Sequence, residues 1–245
     1  MECIDIDVYF HAVAFDNGTF TFHDKSESME TIVPVIGANM AVLNDEYKGT
    51  PFSFIWKNPD VVTVVNNTEW TSDLCSFVRY GTLQDDWVFL GDFKTSINVY
   101  LGHQMNIVRN LTTGCGSFPW MDVNYIGMDY EILPPGGNGL TLAHEVAHWL
   151  GLLHTFTSTF NPRSGDPCHP NSKGDCVDDT PIQTKFNYSL YVNQTSSDSC
   201  PSVEGGDSFW NIMNSLCLRR ACFGDRAFFT EGQIQRMVSS QLLRA

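Results

Sequence analysis

The eleven residues 144 to 154, HEVAHWLGLLH, restrict the fold of this chain more than any other stretch of it. They hold three of its seven histidines at positions i, i+4 and i+10, with Glu145 beside the first and Gly151 between the last two. A helix stacks residues four apart on one face, so His144 and His148 aim their imidazoles at a common point. Leu142, Val146 and Leu150, with the small Ala143 and Ala147, give the same helix apolar sides that pack it into a core. Gly151 lets the chain turn where a helix would carry on, and the turn swings His154 back toward the other two.

Three imidazoles converging on one point are zinc ligands. They leave the fourth tetrahedral position open to water, the arrangement of a catalytic site. Glu145 sits next to the first ligand but offset from the metal, so it addresses that water as a general base; zinc lowers the pKa of such a water to about 7. A closed structural zinc site is disfavoured, because no cysteine lies within the segment and Cys168 is the nearest. Chance register of histidines on an amphipathic helix accounts for His144 and His148. It leaves Glu145, Gly151 and His154 unexplained.

Composition removes other classes of function. Twenty-eight acidic residues against fourteen basic ones give a net charge of −14, which argues against nucleic-acid backbones and anionic membranes as partners. No run of residues is long and apolar enough to predict a membrane span. Eight cysteines, together with N-x-S/T sequons at Asn17, Asn66, Asn110, Asn187 and Asn193, point to a secreted, oxidised protein. The even cysteine count suits four disulfides. Met1 is followed at once by a strand-like pattern instead of a basic and apolar leader, so this reads as a processed or truncated form without its signal peptide or any propeptide.

Elsewhere the patterning predicts a mixture of strands and helices. IDIDVYFHAVAF alternates, with Ile4, Ile6, Val8, Phe10, Ala12 and Ala14 on one face and Asp5, Asp7, Tyr9 and His11 on the other, as in a half-buried strand. His11 reads as a structural histidine. The segment from Pro34 to Gly49 predicts a helix with Pro34 in its first turn and Val35, Ile36, Asn39, Met40, Leu43 and Tyr47 along one stripe. TPFSFIWKNPDVVTVV returns to strand character, residues 69 to 93 read as helical, and SINVYL and YIGMDYEIL are short buried strands. From residue 155 to 210 the chain is rich in Asp, Asn, Ser, Gly and Pro, a loop too long to stand without disulfides or a metal ion. It closes on a helix whose N-cap Thr230 and Gln233 form a capping box, with Ile234, Met237, Val238 and Leu242 as the buried face.

The motif H-E-x-x-H-x-x-G-x-x-H resembles that of the metzincin zinc endopeptidases. MAVLNDEYKGTPFSF, SINVYL, HEVAHWLGLLHTF, GDCVDDTP, NIMNS and FTEGQIQRM follow one another as in the pappalysin family, most like its secreted fungal and microbial members. The resemblance runs from about residue 4 to 240. It implies an α+β, metzincin-like fold: an upper subdomain, residues 1–154, with a twisted mixed sheet and the active-site helix, and a smaller, irregular, disulfide-rich lower subdomain, residues 155–245, ending in a helix. It also implies a methionine turn beneath the zinc, assigned to Met213. A calcium loop is implied in GDCVDDTP, with Asp175, Asp179 and the carbonyls of Val177 and Thr180 as ligands.

The expected function is that of a secreted zinc endopeptidase acting on protein or peptide substrates, with His144, His148 and His154 on zinc and Glu145 as base and proton shuttle. The rival readings are a zinc-stapled extracellular binding protein with impaired catalysis and, more distantly, a zinc hydrolase of other substrates. Asn214 and Ser215 follow Met213 where the family has Asp-Tyr, so a hydrogen bond from that tyrosine is lost or must come from elsewhere. Between the turn and the last helix, SLCLRRACFGDRAFF is longer than usual and carries two cysteines, and Cys176 sits inside the calcium-like loop. Leu218, Arg219 and Arg220 stand where an acid would select arginine after the scissile bond. Weak preference for arginine or lysine is therefore expected there, unless Asp225 takes that place.

Overall fold

The computed structural model describes residues 3–14, 20–22, 25–27, 29–57, 63–66, 74–75, 88–102, 114–129, 140–156, 168–169, 172–184, 198–214 and 228–244. They fall into two compact units, Met1–Trp149 with Arg244–Ala245, and Leu150–Leu243.

The first unit is built on β1 (Ile4–Ala14), which lies inside a six-stranded mixed sheet. On one side β1 pairs in parallel with β4 (Phe52–Trp56) through residues 4–8 and with β5 (Thr63–Asn66) through residues 11–14. On the other it pairs in parallel with β6 (Ser96–Gly102), followed by β8 (Ile126–Asp129) and the antiparallel β7 (Gly114–Gly116). A separate hairpin joins β2 (Phe20–Phe22) to β3 (Lys25–Glu27). The alternation read for β1 holds as far as Phe10, but from His11 onward both faces are buried, as in a strand with neighbours on each edge and layers on each face. Every residue of β6 is buried for the same reason.

Helix α1 (Met29–Glu46) follows the hairpin in the chain and belongs to the connection between the parallel strands β1 and β4. It starts five residues before Pro34, so the expected first-turn proline lies inside the helix, at an exposed position. Ile32, Ile36, Asn39, Met40, Leu43 and Tyr47 are buried in an i, i+3/i+4 stripe, and Gly49 ends the helical segment at φ 90°. Asn44 then reaches across to β4, its Nδ2 donating to Phe54 O and its Oδ1 accepting from Phe54 N, both at 3.0 Å. That pairing satisfies backbone groups on a strand that would otherwise offer an open edge. Most of residues 69 to 93 lies outside the described residues, as does the end of YIGMDYEIL after Asp129. Cys75 is bonded to Cys115 on β7, and Leu74 packs with Val13, Tyr100 and Tyr125.

The second unit is made mostly of turns, with the disulfide Cys168–Cys200 and helix α3 (Glu231–Arg244). The capping box forms as read: Gln233 N donates to Thr230 Oγ1 and Thr230 N donates to Gln233 Oε1. The buried line of α3 is Gln233, Met237 and Gln241, and Leu242 is exposed, contrary to expectation. Two buried glutamines flank Met237 because Gln233 bonds the neighbouring turn, which moves the packed face one residue back from the Ile234–Val238–Leu242 line. Four disulfides are not realised either, for Cys3 forms none and its thiol donates to Asp5 Oδ1 at 3.6 Å.

His11 is the structural histidine that the pattern suggested. It is fully buried, bonded through Nε2 to Asn98 Oδ1 at 2.7 Å and stacked on Tyr100. Burial lowers its pKa to about 4, so the folded chain keeps it neutral while the unfolded chain protonates near 6.5. His11 thus stabilises the fold fully above pH 6.5, and its contribution falls by about 3 kcal/mol as pH drops to 4. The stability difference between wild type and His11→Gln, measured by denaturant unfolding across pH 4 to 7, should narrow by that amount toward the acid end. A pH-independent difference would contradict the assignment.

Candidate metal centre

Helix α2 (Leu140–Trp149) carries HEVAHW, and all ten of its residues are buried. It is tied by hydrogen bonds to two side chains outside the motif, Tyr47 and Asn124. Tyr47 Oη donates to Ala143 O at 3.1 Å, one residue before His144. Trp149 Nε1 donates to Asn124 Oδ1 at 2.8 Å, and Asn124 Nδ2 donates in turn to Ser96 O. The helix stops at Trp149, and Gly151 follows at φ 99°, the left-handed turn that the sequence demanded.

His144, His148 and His154 each bring one ring nitrogen to within 4.8 Å of the others. The first two are buried and edge-on at 4.7 Å between ring centres, and His154 stacks on Phe156. Three imidazoles that close suit a tetrahedral ion with one position left over. They are the only such group among the described residues.

Glu145 is buried next to the first histidine, and burial raises its carboxyl to about 8. What makes room for it is β7, whose sequence is Gly-Cys-Gly. A Cβ on Gly114 would stand 2.8 Å from Glu145 Cγ, and one on Gly116 would stand 2.8 Å from Glu145 O. Strand β7 therefore runs against α2 at backbone distance, with Glu145 held between.

Comparison with known proteins places this chain in a family. An extracellular metalloprotease of Arthroderma benhamiae is 30% identical over 249 residues, covering 96% of this chain and 71% of its own length. One from Colletotrichum graminicola is 29% identical over 247 residues, covering 96% of this chain and 76% of its own. The family described as pregnancy-associated plasma protein-A matches residues 122–241. The chain belongs to the pappalysin family of metalloendopeptidases. Its fold is that of mirolysin. The structure of mirolysin in complex with compound 9 matches with a TM-score of 0.65 at 18% identity, over 98% of this chain and 91% of that one. Mature mirolysin of Tannerella forsythia with a cleaved peptide matches at 0.63 and 17%, over 98% and 92%.

In this pappalysin chain Met213 is fully buried in a turn closed by Asn214 N donating to Asn211 O. Its carbonyl accepts from Thr155 N, directly after the third histidine. Asn211 fixes the turn from below: its Oδ1 accepts from Met213 N, and its amide pairs with that of Gln233 on α3. Asn214 donates through Nδ2 to Ser208 O, while Ser215 lies outside the described residues. So do Leu218, Arg219, Arg220 and Asp225.

In the acidic loop the residues have different tasks. Asp179 gives both carboxylate oxygens to the start of α3, accepting from Thr230 Oγ1 and Gly232 N. Asp175 is buried, its Oδ1 accepting from Thr180 Oγ1 and Val177 N, and Val177 O also accepts from Thr180 Oγ1. Asp175 Oδ2 is buried with no hydrogen-bond partner, and burial raises the carboxyl to about 6.

Arg236 was missed by the sequence reading. From α3 its Nε donates to Gly151 O at 2.8 Å and its Nη1 to Cys176 O at 3.3 Å, so one guanidinium holds both the glycine turn and the acidic loop. The only sequence cue was an arginine three residues after the capping-box glutamine. Charged donors to backbone carbonyls are among the stronger hydrogen bonds, and loss of such outer support weakens metal sites by roughly tenfold or more. Arg236→Ala should weaken zinc binding about tenfold in a chelator competition, with Arg236→Lys recovering part of it. An unchanged affinity would mean that Gly151 holds its turn unaided.

Proposed function

We propose that this pappalysin is a secreted zinc endopeptidase in which His144, His148 and His154 hold the ion and Glu145 is the general base. The observation that carries the proposal is the convergence of three ring nitrogens within 4.8 Å, with a buried carboxyl on the adjacent residue. Neutral imidazoles and an open fourth position fit zinc in preference to harder ions. Zinc bound there supplies Lewis acidity, activating water and polarising the scissile carbonyl.

Glu145 does the proton work. Its carboxylate takes the proton of the attacking water and returns it to the leaving amine. Burial alone would keep the acid protonated at neutral pH, and a cation nearby lowers its pKa toward the range a base needs. Gly114 and Gly116 let β7 pass close enough to fix this carboxyl in one place. Met213 supports His154 through the hydrogen bond from Thr155, which is the role proposed for the methionine turn.

Secretion is supported by relatives named as extracellular metalloproteases and by the Cys75–Cys115 and Cys168–Cys200 disulfides. Among the described residues no helix is long and apolar enough to cross a membrane. The substrates proposed are proteins or peptides. The weak preference for arginine or lysine after the cut bond stays a proposal resting on Leu218, Arg219 and Arg220.

Purified protein should carry about one zinc per chain and cleave casein. Glu145→Ala should keep the zinc and lose activity by at least a hundredfold, roughly the scale of a general base. Equal activity of the two proteins would remove Glu145 as the base, and no hydrolysis by wild type would favour a zinc-stapled binding protein.

Calcium at residues 175–180 is a second part of the proposal, supported by the buried Asp175 Oδ2 without a hydrogen-bond partner, on the carboxyl whose Oδ1 accepts from Val177 N and Thr180 Oγ1. Asp179 would join that site only by giving up its cap on α3. Limited proteolysis with a calcium-independent protease should show slower cleavage within residues 155–200 when calcium is added, and no such protection in Asp175→Asn. Protection that is identical in the variant would place the ion elsewhere.

A further inference from the structure

Beyond β7 the chain makes a tight turn, Phe118-Pro119-Trp120-Met121, closed by Met121 N donating to Phe118 O at 3.0 Å. Pro119 presets the turn, and Phe118 N donates to Met121 Sδ, so the four residues are fixed without help from other segments. Within it the Phe118 and Trp120 rings stack at 4.6 Å and 9°. Phe118 also meets His148 edge-on at 5.2 Å. Trp120 is 60% exposed and Met121 is exposed beside it. A single exposed apolar side chain needs no explanation, but this is a contiguous, rigid patch that begins on a metal-site histidine.

We propose that the Phe118–Trp120 ring pair is a substrate subsite, taking one large apolar or aromatic side chain of the peptide close to the scissile bond. The inference rests on reading the three-histidine centre as the hydrolytic site. Its occupant follows from the surface offered. One face of the indole is covered by Phe118 while the ring stays 60% exposed, with the exposed Met121 next to it in the chain, and an exposed ring face is best covered by another ring or a branched aliphatic chain. The location follows from chain continuity. Gly114 and Gly116 hold β7 against Glu145, and two residues further on the rings begin, so a peptide reaching Glu145 passes beside them. Because the turn is closed by its own hydrogen bonds, little ordering cost is met when the ring is covered.

The test uses peptides that differ only in carrying Phe, Ala or Arg at one of three positions on either side of the cut bond. Wild type, Trp120→Ala and Trp120→Phe are compared by kcat/KM, and the same peptides are titrated against Glu145→Ala with and without Trp120→Ala. At one position Phe should be favoured over Ala by roughly tenfold, with that ratio approaching unity in Trp120→Ala and largely restored in Trp120→Phe. The same ratio should appear in the Kd values for Glu145→Ala. A Phe/Ala ratio untouched by Trp120→Ala at every position overturns the subsite. A preference for Arg that is lost in Trp120→Ala overturns the occupant, since an indole face also attracts cations. Discrimination in binding without hydrolysis by wild type keeps the subsite and removes the peptidase reading. Hydrolysis without discrimination does the reverse.

Discussion

Everything in the first unit answers to one constraint: α2 is buried along its whole length, yet carries two imidazoles and a carboxyl. Buried polar groups are costly unless their surroundings compensate them, and compensation here comes from several directions. Tyr47 and Asn124 hydrogen-bond to the helix. The glycines of β7 remove the side chains that would displace Glu145. The neighbouring strands add buried apolar side chains at Val99, Leu101, Ile126 and Met128. With the helix fixed in this way, His144 and His148 have little freedom left, and the geometry that a metal ion requires exists before it binds.

The second unit reaches the same end by different means. It has few regular elements among its described residues, so side-chain hydrogen bonds take over the work of a sheet. Asn211 joins the Met213 turn to Gln233, the same glutamine that caps α3. Asp179 ties the acidic loop to the start of that helix, and Arg236 ties it to the Gly151 turn. Helix α3 is thus the member on which these turns are hung. That explains why its buried face holds Gln233 and Gln241 around Met237 in place of an aliphatic stripe.

How legible this was in the sequence depended on the range of the interaction. The three-histidine motif, the β1 alternation as far as Phe10 and the Thr230–Gln233 capping box are local patterns, each fixed by helix or strand period, and the structure brings together the residues that each pattern named. Pro34 misled because a proline rule for first turns does not count the residues that precede it, and α1 begins at Met29. Leu242 misled because an apolar residue at helical spacing says nothing about where the packing partner ends. Arg236, the β7 glycines and the bond from Tyr47 to Ala143 act across 85, 29 to 31 and 96 residues of chain, and no spacing rule reaches that far. In the acidic loop, sequence showed the oxygen atoms but not that Asp179 spends its own on a helix cap.

The central claim is that three imidazoles and no other side chain hold one zinc. X-ray absorption of the zinc-loaded protein measures this without recourse to activity. The account predicts nitrogen or oxygen ligands only, at about 2.0–2.1 Å, with multiple scattering from three imidazoles and one further oxygen. A sulfur shell near 2.3 Å, or scattering from fewer than three imidazoles, would contradict it.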